Sequence, residues 1–432
     1  MSAWLARACY RVLLWLVFPL VWLYLLKRSR KQPEYRNHWG ERLGYYPLEQ
    51  SGKDFQGNTC PVWVHAVSVG EMRAAQSIVL ALHQQYPQRP LLLTCMTPTG
   101  RATAQDLFGA ASGIHARVVF LPYDYPAAIR RFLRTFKPCL GLIIDTEIWP
   151  HCIAECQQAG VPLVLANARL SQKSLNGYLK LAPLFRWALP KLAGVYAQTR
   201  ADAERLTQLG AQHVQVMGNV KFDNQLDPLL IERGQGWKSA LARKTMLLAS
   251  SRDGEEALVL QALQDRLSDT LLMIVPRHPQ RFDAVAALIE SMGLSYVRRS
   301  QWQGEAITAS VLLGDTMGEM AAWYSAADVT MMGGSLLKYG SQNLIEAAAC
   351  GCPVLIGPST FNFAQASLEA IAAGAAWQGD DASAVCREAL AVLDDPARRS
   401  AMGQAGVAFS QAHRGATATL LRHVQVWLDQ AT

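Results

Sequence analysis

The chain has 432 residues, half of them apolar and only 17% charged, with 41 Lys and Arg against 34 Asp and Glu. That length suggests two or three domains with large cores, and the apolar share excludes a disordered or low-complexity chain. The net charge of +7 is concentrated: up to Tyr46, eight basic residues (Arg7, Arg11, Lys27, Arg28, Arg30, Lys31, Arg36, Arg42) meet only Glu34 and Glu41. The near-neutral remainder excludes a nucleic-acid-coating surface.

Residues 12–26 form an unbroken apolar run followed at once by KRSRK. Fifteen helical residues measure about 22 Å, short of the ~30 Å hydrocarbon core of a bilayer. Spanning length is reached only by counting back to Ala3, which includes Arg7 and Arg11, whose side chains can snorkel. Trp4, Trp15, Trp22 and Tyr24 suit a headgroup boundary, and the basic residues 27–31 suit an anionic leaflet. No small-residue cleavage site follows. Residues 1–46 therefore read as a retained membrane-anchor helix with a basic juxtamembrane segment, in preference to a cleaved signal or a buried core helix. Basic flanks put the body on the cytoplasmic side. The nine cysteines show no metal-ligand grouping and read as reduced thiols, so no metal is expected.

Beyond the basic segment, short apolar runs alternate with amphipathic helical patterns. Strand candidates fall at residues 62–67, 91–95, 117–122, 141–145, 162–167, 194–198 and 214–218, then at 245–250, 271–276, 294–299, 309–315, 328–334 and 353–357. Helical spacing fills the gaps, for example over residues 72–85 and 127–136. The alternation implies parallel sheets with right-handed crossovers. The expected fold is α/β, with two Rossmann-like parallel-sheet domains facing across a cleft: 47–222 and 237–408, joined by a linker over 223–236 and followed by a terminal helix within 409–432. Ligands of such sheets bind beyond the carboxyl ends of the strands, so the residues just after each strand carry the functional signal.

After the first strand comes HAVSVGE (65–71). Ser68 and Glu71 have capping-box spacing, and Glu71 is equally placed to accept a proton from an incoming hydroxyl. A helix start favours the ionised carboxylate, which makes it a ready but weak base. Asp145 and Glu147 follow the fourth strand beside Trp149 and Pro150; the pair reads as a site or as a solvated loop. Asn167, Arg169 and Ser171 follow the fifth strand, Thr97 to Gly100 the second, and Lys221 lies in GNVKFD (218–223), facing a site or merely the linker. The second half offers anion-binding junctions: Ser250 to Glu256, Pro276 and Arg277, Asp315 to Glu319, Gly333 to Ser335, and Ser341 to Glu346. Guanidinium groups and helix-start N–H groups suit phosphate, although Thr316 with Glu319 and Asn343 with Glu346 are also capping-box spacings. No GxGxxG or Walker lysine motif is present, which disfavours NAD and ATP and favours a nucleotide-sugar donor.

At these residues the sequence resembles the 3-deoxy-D-manno-octulosonic acid (Kdo) transferases of lipopolysaccharide synthesis. The resemblance runs from ERLG (41–44) through HAVSVGE, TPTG, LPYD (121–124), TEIWP (146–150), ANARLS (166–171), GNVKFD, VPRHPQR (275–281), GDTMGEM (314–320) and GGS to GPSTFNF (357–363). It implies a GT-B glycosyltransferase with an inner-membrane anchor, CMP-Kdo as donor and the lipid A precursor (lipid IVA) as acceptor, with inversion and without metal or other cofactor. Glu71 then resembles the general base, and Glu147 and Lys221 the groups that support the transition state. Pro276, Arg277, Met317, Gly318, Glu319, Asn343, Leu344, Ile345 and Glu346 resemble the CMP-contacting segments. Three positions depart from the family pattern: Asp145 stands where a glutamate is usual, Arg252 ends a segment that is usually Ser-Thr-His, and Gln342 replaces the histidine of Gly-Gly-His-Asn. Two other functions fit the residues: a transferase using another nucleotide sugar, and a non-catalytic lipid-A-binding protein.

Overall fold

A computed structural model of the chain describes residues 3–30, 32–47, 60–114 and 116–430. Lys31 of the basic segment and residues 48–59 at the start of the first expected domain lie outside the described residues. The chain divides into two compact units, residues 1–224 with 414–432, and residues 225–413.

The first unit is built on seven parallel strands: β1 (Val62–His65), β2 (Leu91–Cys95), β3 (Arg117–Phe120), β4 (Leu140–Ile144), β5 (Leu163–Ala168), β6 (Gly194–Ala197) and β7 (Val214–Val216). Their order is β3-β2-β1-β4-β5-β6-β7. Every strand but the edge strand β7 is buried throughout, as expected of a sheet covered on both faces. Successive residues serve opposite faces: Val62, Val64, Leu91 and Leu93 pack into one core, Trp63 and Leu92 into the other.

The second unit repeats the plan with β8 (Lys244–Ser251), β9 (Thr270–Pro276), β10 (Tyr296–Arg298), β11 (Val311–Leu313), β12 (Val329–Met332), β13 (Val354–Ile356) and β14 (Ala376–Gln378), ordered β10-β11-β9-β8-β12-β13-β14. Each of the thirteen expected strands coincides with an observed one. The short edge strand β14 was not expected, because three residues reading AWQ carry no periodicity.

Three expected boundaries shift. The presumed linker over 223–236 is mostly helix, Pro228–Leu241, because Asp227 caps it and Pro228 fits its first turn. Gly234, inside the expected linker, is a packing residue: a Cβ there would lie 2.2 Å from the Ala322 carbonyl oxygen. Within 409–432 the chain forms the end of one helix (Pro396–Ala412) and the whole of another (Ala416–Gln430), so the expected donor domain ending at 408 extends to His413. The final helix belongs to the first unit. Asp223 of GNVKFD accepts from the backbone N–H groups of Gly415 and Thr417 at 2.6 and 2.5 Å, and Ala416, Leu420, Leu421, Val424 and Leu428 complete a core that also holds Val62 and Leu93.

The N-terminal helix, Ala3–Ser29, is long and apolar enough by composition to cross a membrane, and almost none of its apolar window is buried. Arg42, counted above with the basic juxtamembrane charge, is an internal group of the first unit. It is 1% exposed, donates to the Met96 carbonyl and stacks 4.2 Å over Phe120. Its neighbour Glu41 is equally buried and takes hydrogen bonds from Phe120 N and Arg101, both at 2.7 Å. The two charges cancel, so the excess of the remaining basic segment is unchanged.

Truncating Leu420 to alanine should destabilise the first unit by about 3 kcal/mol through lost burial and a residual cavity. Chemical denaturation of the full chain measures this, and an unchanged midpoint would contradict the placement of the last helix.

Candidate active site

In the first sheet the connections run one way from β1 through β2 to β3 and the other way from β4 to β7, so the switch point lies between β1 and β4. Open parallel sheets bind ligands beyond the carboxyl ends of the strands at this point. Glu71 follows β1 there, and Asp145 and Glu147 follow β4.

Glu71 sits in the short helix Val69–Ala74, and its Oε2 accepts from the N–H groups of Val67 at 2.5 Å and Ser68 at 3.2 Å. The carboxylate half of a capping box is thus present. These bonds favour ionisation, but burial, reinforced by Asp145 and Glu147, outweighs them and raises the carboxyl pKa to about 7. The weak base expected from the helix start is therefore a considerably stronger one. Burial also raises Glu147, against the hydrogen bond that its Oε2 receives from Trp149 Nε1 at 2.9 Å.

Asp145 adopts a left-handed backbone (φ 60°), and so does Asn167 at the end of the neighbouring strand β5 (φ 56°). Such conformations are uncommon outside glycine and concentrate at functional sites. The two residues are joined: Asn167 Nδ2 donates to Asp145 Oδ1 at 2.5 Å, and Asn167 Oδ1 accepts from Val220 N at 3.1 Å. Val220 begins the single turn that carries Lys221. Lys221 is electrostatically in touch with Asp145, Glu71 and Arg169, and burial lowers its pKa. The first unit therefore brings Glu71, Asp145, Glu147 and Lys221 into one cluster. Reading Asn167 simply as a polar residue at the fifth strand missed its role as the joint between two strand ends; the signal was a polar residue at the end of an otherwise apolar strand.

In the second unit the switch point lies between β8 and β12. Ser250, Pro276, Arg277, Thr316, Met317, Gly318 and Glu319 line a cavity of about 50 Å³ at the carboxyl ends of β8, β9 and β11. Five of the nine expected donor-contact residues meet there. Glu319 is held by two guanidinium groups, Arg233 at 3.1 Å and Arg299 at 3.0 Å. Beside the cavity, Arg252 bonds His278 Nε2 at 3.0 Å and stacks 4.8 Å over Tyr339. Burial, with Arg252, Arg277 and Arg281 nearby, lowers the His278 pKa and favours the neutral ring that accepts from Arg252.

Four of the expected donor-contact residues lie apart from this cavity lining. Leu344 and Ile345 are buried side chains (0% and 2% exposed) that belong to the interior. Asn343 Oδ1 accepts from Ile345 N at 3.1 Å, and Glu346 lies near Tyr324. The Gly333 to Ser335 junction is not an open anion cradle, and no helix follows it directly. The fully buried Glu255 carboxylate already accepts from Gly334 N at 2.7 Å, Leu336 N at 3.0 Å and Leu337 N at 3.3 Å. Gly333 is required by contact: a Cβ would lie 2.5 Å from the Ser250 carbonyl oxygen. A larger cavity, about 630 Å³, opens at the amino ends of β12 and β13, the wrong end of the sheet for a Rossmann ligand. Its Asp328 is already paired with Lys238 at 2.9 Å.

A family model described as 3-deoxy-D-manno-octulosonic-acid transferase (kdotransferase) matches residues 37–224, ending where the first unit gives way to the second. The 3-deoxy-D-manno-octulosonic acid transferase of Bordetella pertussis is 43% identical over 98% of this chain and 100% of its own length. The chain belongs to the Kdo transferase family. The enzyme of the same name from Haemophilus influenzae is 32% identical over 98% of this chain and 99% of its own. This Kdo transferase is thus a glycosyltransferase of lipopolysaccharide synthesis. Among solved structures, Anabaena HepE in complex with UDP aligns at a TM-score of 0.57 and 13% identity, over 86% of this chain and all of that one. A UDP complex of Staphylococcus aureus MnaA aligns at 0.56 and 15%, over 86% and 97%. At these identities the likeness establishes the GT-B-type fold and nothing more.

Two outcomes follow for the cluster. Because Glu71 has a folded pKa of about 7, above its ordinary 4.5, the stability linked to its protonated form is complete below pH 4.5 and is lost as pH rises through 7. Glu71→Gln lacks this loss, so its melting temperature relative to the parent should climb between pH 4.5 and 7 and then level off; a flat difference would refute the raised pKa. Asn167→Ala leaves Val220 N–H without its partner and should cost about 2 kcal/mol, read as a lower midpoint in urea.

Proposed function

We propose that this enzyme transfers Kdo from CMP-Kdo to a sugar hydroxyl of the lipid A precursor, with inversion, at the cytoplasmic face of the inner membrane. The observation that carries the mechanism is the Glu71 carboxyl group, raised to about 7 beside Asp145 and Glu147 at the switch point of the first sheet. A base with a pKa near ambient pH combines a useful ionised fraction with real proton affinity.

In the proposed step Glu71 takes the proton of the acceptor hydroxyl. The acceptor oxygen forms a bond to the anomeric carbon of Kdo, and the bond from that carbon to the phosphate oxygen breaks. CMP leaves with the electron pair. Displacement from the opposite face inverts the anomeric centre, and no covalent enzyme intermediate is formed. The leaving phosphate gains charge that a guanidinium can meet, the task assigned to Arg277 with Pro276 and Met317 to Glu319 around it. Lys221 and Glu147 would hold the acceptor side, where the lysine offsets the negative charge gathered by three carboxyl groups. Arg252, which departs from the family pattern, adds a cation beside this phosphate region, while Gln342 contributes hydrogen bonds but no charge. The full-length similarity to Kdo transferases supports the donor and acceptor classes, and the apolar N-terminal helix with its basic flank supports the location.

Glu71→Gln should lower Kdo transfer by roughly 10²–10⁴-fold while CMP-Kdo binding persists, and parent kcat/KM should rise with pH through about 7. Product mass spectrometry with lipid A precursor and either CMP-Kdo or a UDP-hexosamine completes the test. Undiminished turnover of the variant sinks the base assignment. Product from the UDP sugar alone sinks the donor, and no product from either favours a binding protein.

A further inference from the structure

The N-terminal helix touches the first unit along nearly its whole length. The Arg7 guanidinium lies 4.2 Å over the Trp187 ring. Tyr10 hydroxyl donates to the buried Asp124 carboxylate at 2.9 Å, and the Leu14 carbonyl accepts from Tyr125 hydroxyl at 2.6 Å. The Trp22 ring packs 4.6 Å from Trp39, and Arg28 donates to Tyr35 hydroxyl at 2.9 Å. From Arg7 to Arg28 the helix rises about 32 Å, a full hydrocarbon thickness of ~30 Å. No free stretch long enough to span a bilayer remains while these contacts exist.

Spanning would require the helix to leave the unit. That would carry Arg7, Arg11 and the Tyr10 hydroxyl toward hydrocarbon and strip Asp124 of a partner deep in the protein. Among the described residues nothing covers the opposite side of the helix: Val12, Leu13, Leu16, Leu20 and Leu23 are each more than half exposed. Exposed Arg11, Lys27 and Arg30 flank this strip, and Trp4, Trp15 and Tyr24 are exposed around it. An apolar strip with cationic and aromatic borders matches a bilayer interface lying parallel to the helix axis, its cations meeting anionic headgroups.

We propose that the N-terminal helix does not cross the membrane but lies in its plane, docked on the first unit along one side and sunk into an anionic lipid face along the other. This rests on the membrane location proposed above and fixes the manner of attachment. The unit's own surface then holds the helix in orientation, so the cluster after β1 and β4 is carried at a set attitude to the lipid.

The test uses the full chain in a bacterial inner membrane. One variant, Trp22→Cys with Trp39→Cys, is oxidised in the membrane pellet; a second, Trp4→Cys, is exposed in intact spheroplasts to a membrane-impermeant maleimide, with labelling read peptide by peptide. The expected result is a majority of the pelleted chain cross-linked between residues 22 and 39, retained Kdo transfer, and labelling of residue 4 only after the cytoplasmic face is opened. Labelling of residue 4 from outside overturns the proposal, as does a pelleted chain that cross-links in detergent but not in the membrane. Either result leaves membrane attachment itself standing. Recovery of the parent chain in the soluble fraction removes both.

Discussion

One buried amide holds the candidate chemistry of the first unit together. Asn167, fully enclosed at the end of β5, binds Asp145 on one side and the backbone before Lys221 on the other. Gln198, just beyond β6, donates to its carbonyl at 3.0 Å. Three strand ends and the last loop of the sheet are thus registered by one residue, through its side-chain amide and its backbone carbonyl together. The left-handed backbone at both Asn167 and Asp145 is an unfavourable local choice that persists because this network over-determines it. Three carboxyl groups and a lysine packed at a strand-order reversal would repel or collapse without such a frame. With it, burial, reinforced by mutual repulsion, becomes the source of a proton affinity that an isolated glutamate lacks.

The second unit solves the complementary problem of gathering positive charge without losing it to carboxylates. Glu319, Glu255 and Glu256 all lie among the arginines and loops that read as anion sites, and each is already engaged. Glu319 answers Arg233 and Arg299, Glu255 ties down the loop after β12, and Glu256 pairs with Arg281 at 2.5 Å. Arg252, Arg277 and a neutral His278 are then the groups arranged around the strand ends that suit an incoming phosphate.

The sequence was most legible where periodicity is strong. Largely apolar runs of five to seven residues marked both sheets, because strands buried on two faces have few polar positions to confuse the pattern. Positions of chemistry were legible as strand-end residues, and Glu71, Asp145, Glu147 and Lys221 do converge. What could not be read was long-range partnership. Glu255 satisfying N–H groups some eighty residues away, Asp223 capping a helix nearly two hundred residues later, and Asn167 bridging two loops are contacts that only the folded topology creates. For the same reason a glycine-rich junction at Gly333 looked like a phosphate cradle. Its composition is dictated by the close approach of β8 and β12, and the N–H groups of Gly333 and Gly334 are already taken. The expected linker overlooked a local signal: Asp227 before Pro228 marks a helix start.

The return of the last helix to the first unit also sets an order of assembly. During synthesis the N-terminal helix and all seven strands of the first sheet emerge early, yet one face of that sheet lacks Leu420, Leu421, Val424 and Leu428 until the whole second unit has been made. At ~5–20 residues per second, making residues 225–413 takes roughly 10–40 s. For that interval the apolar face that the last helix covers stays open on the nascent chain. The stitch at Asp223 closes that core late, since a chain without the helix Ala416–Gln430 would keep every motif of the reaction and still lack a finished core.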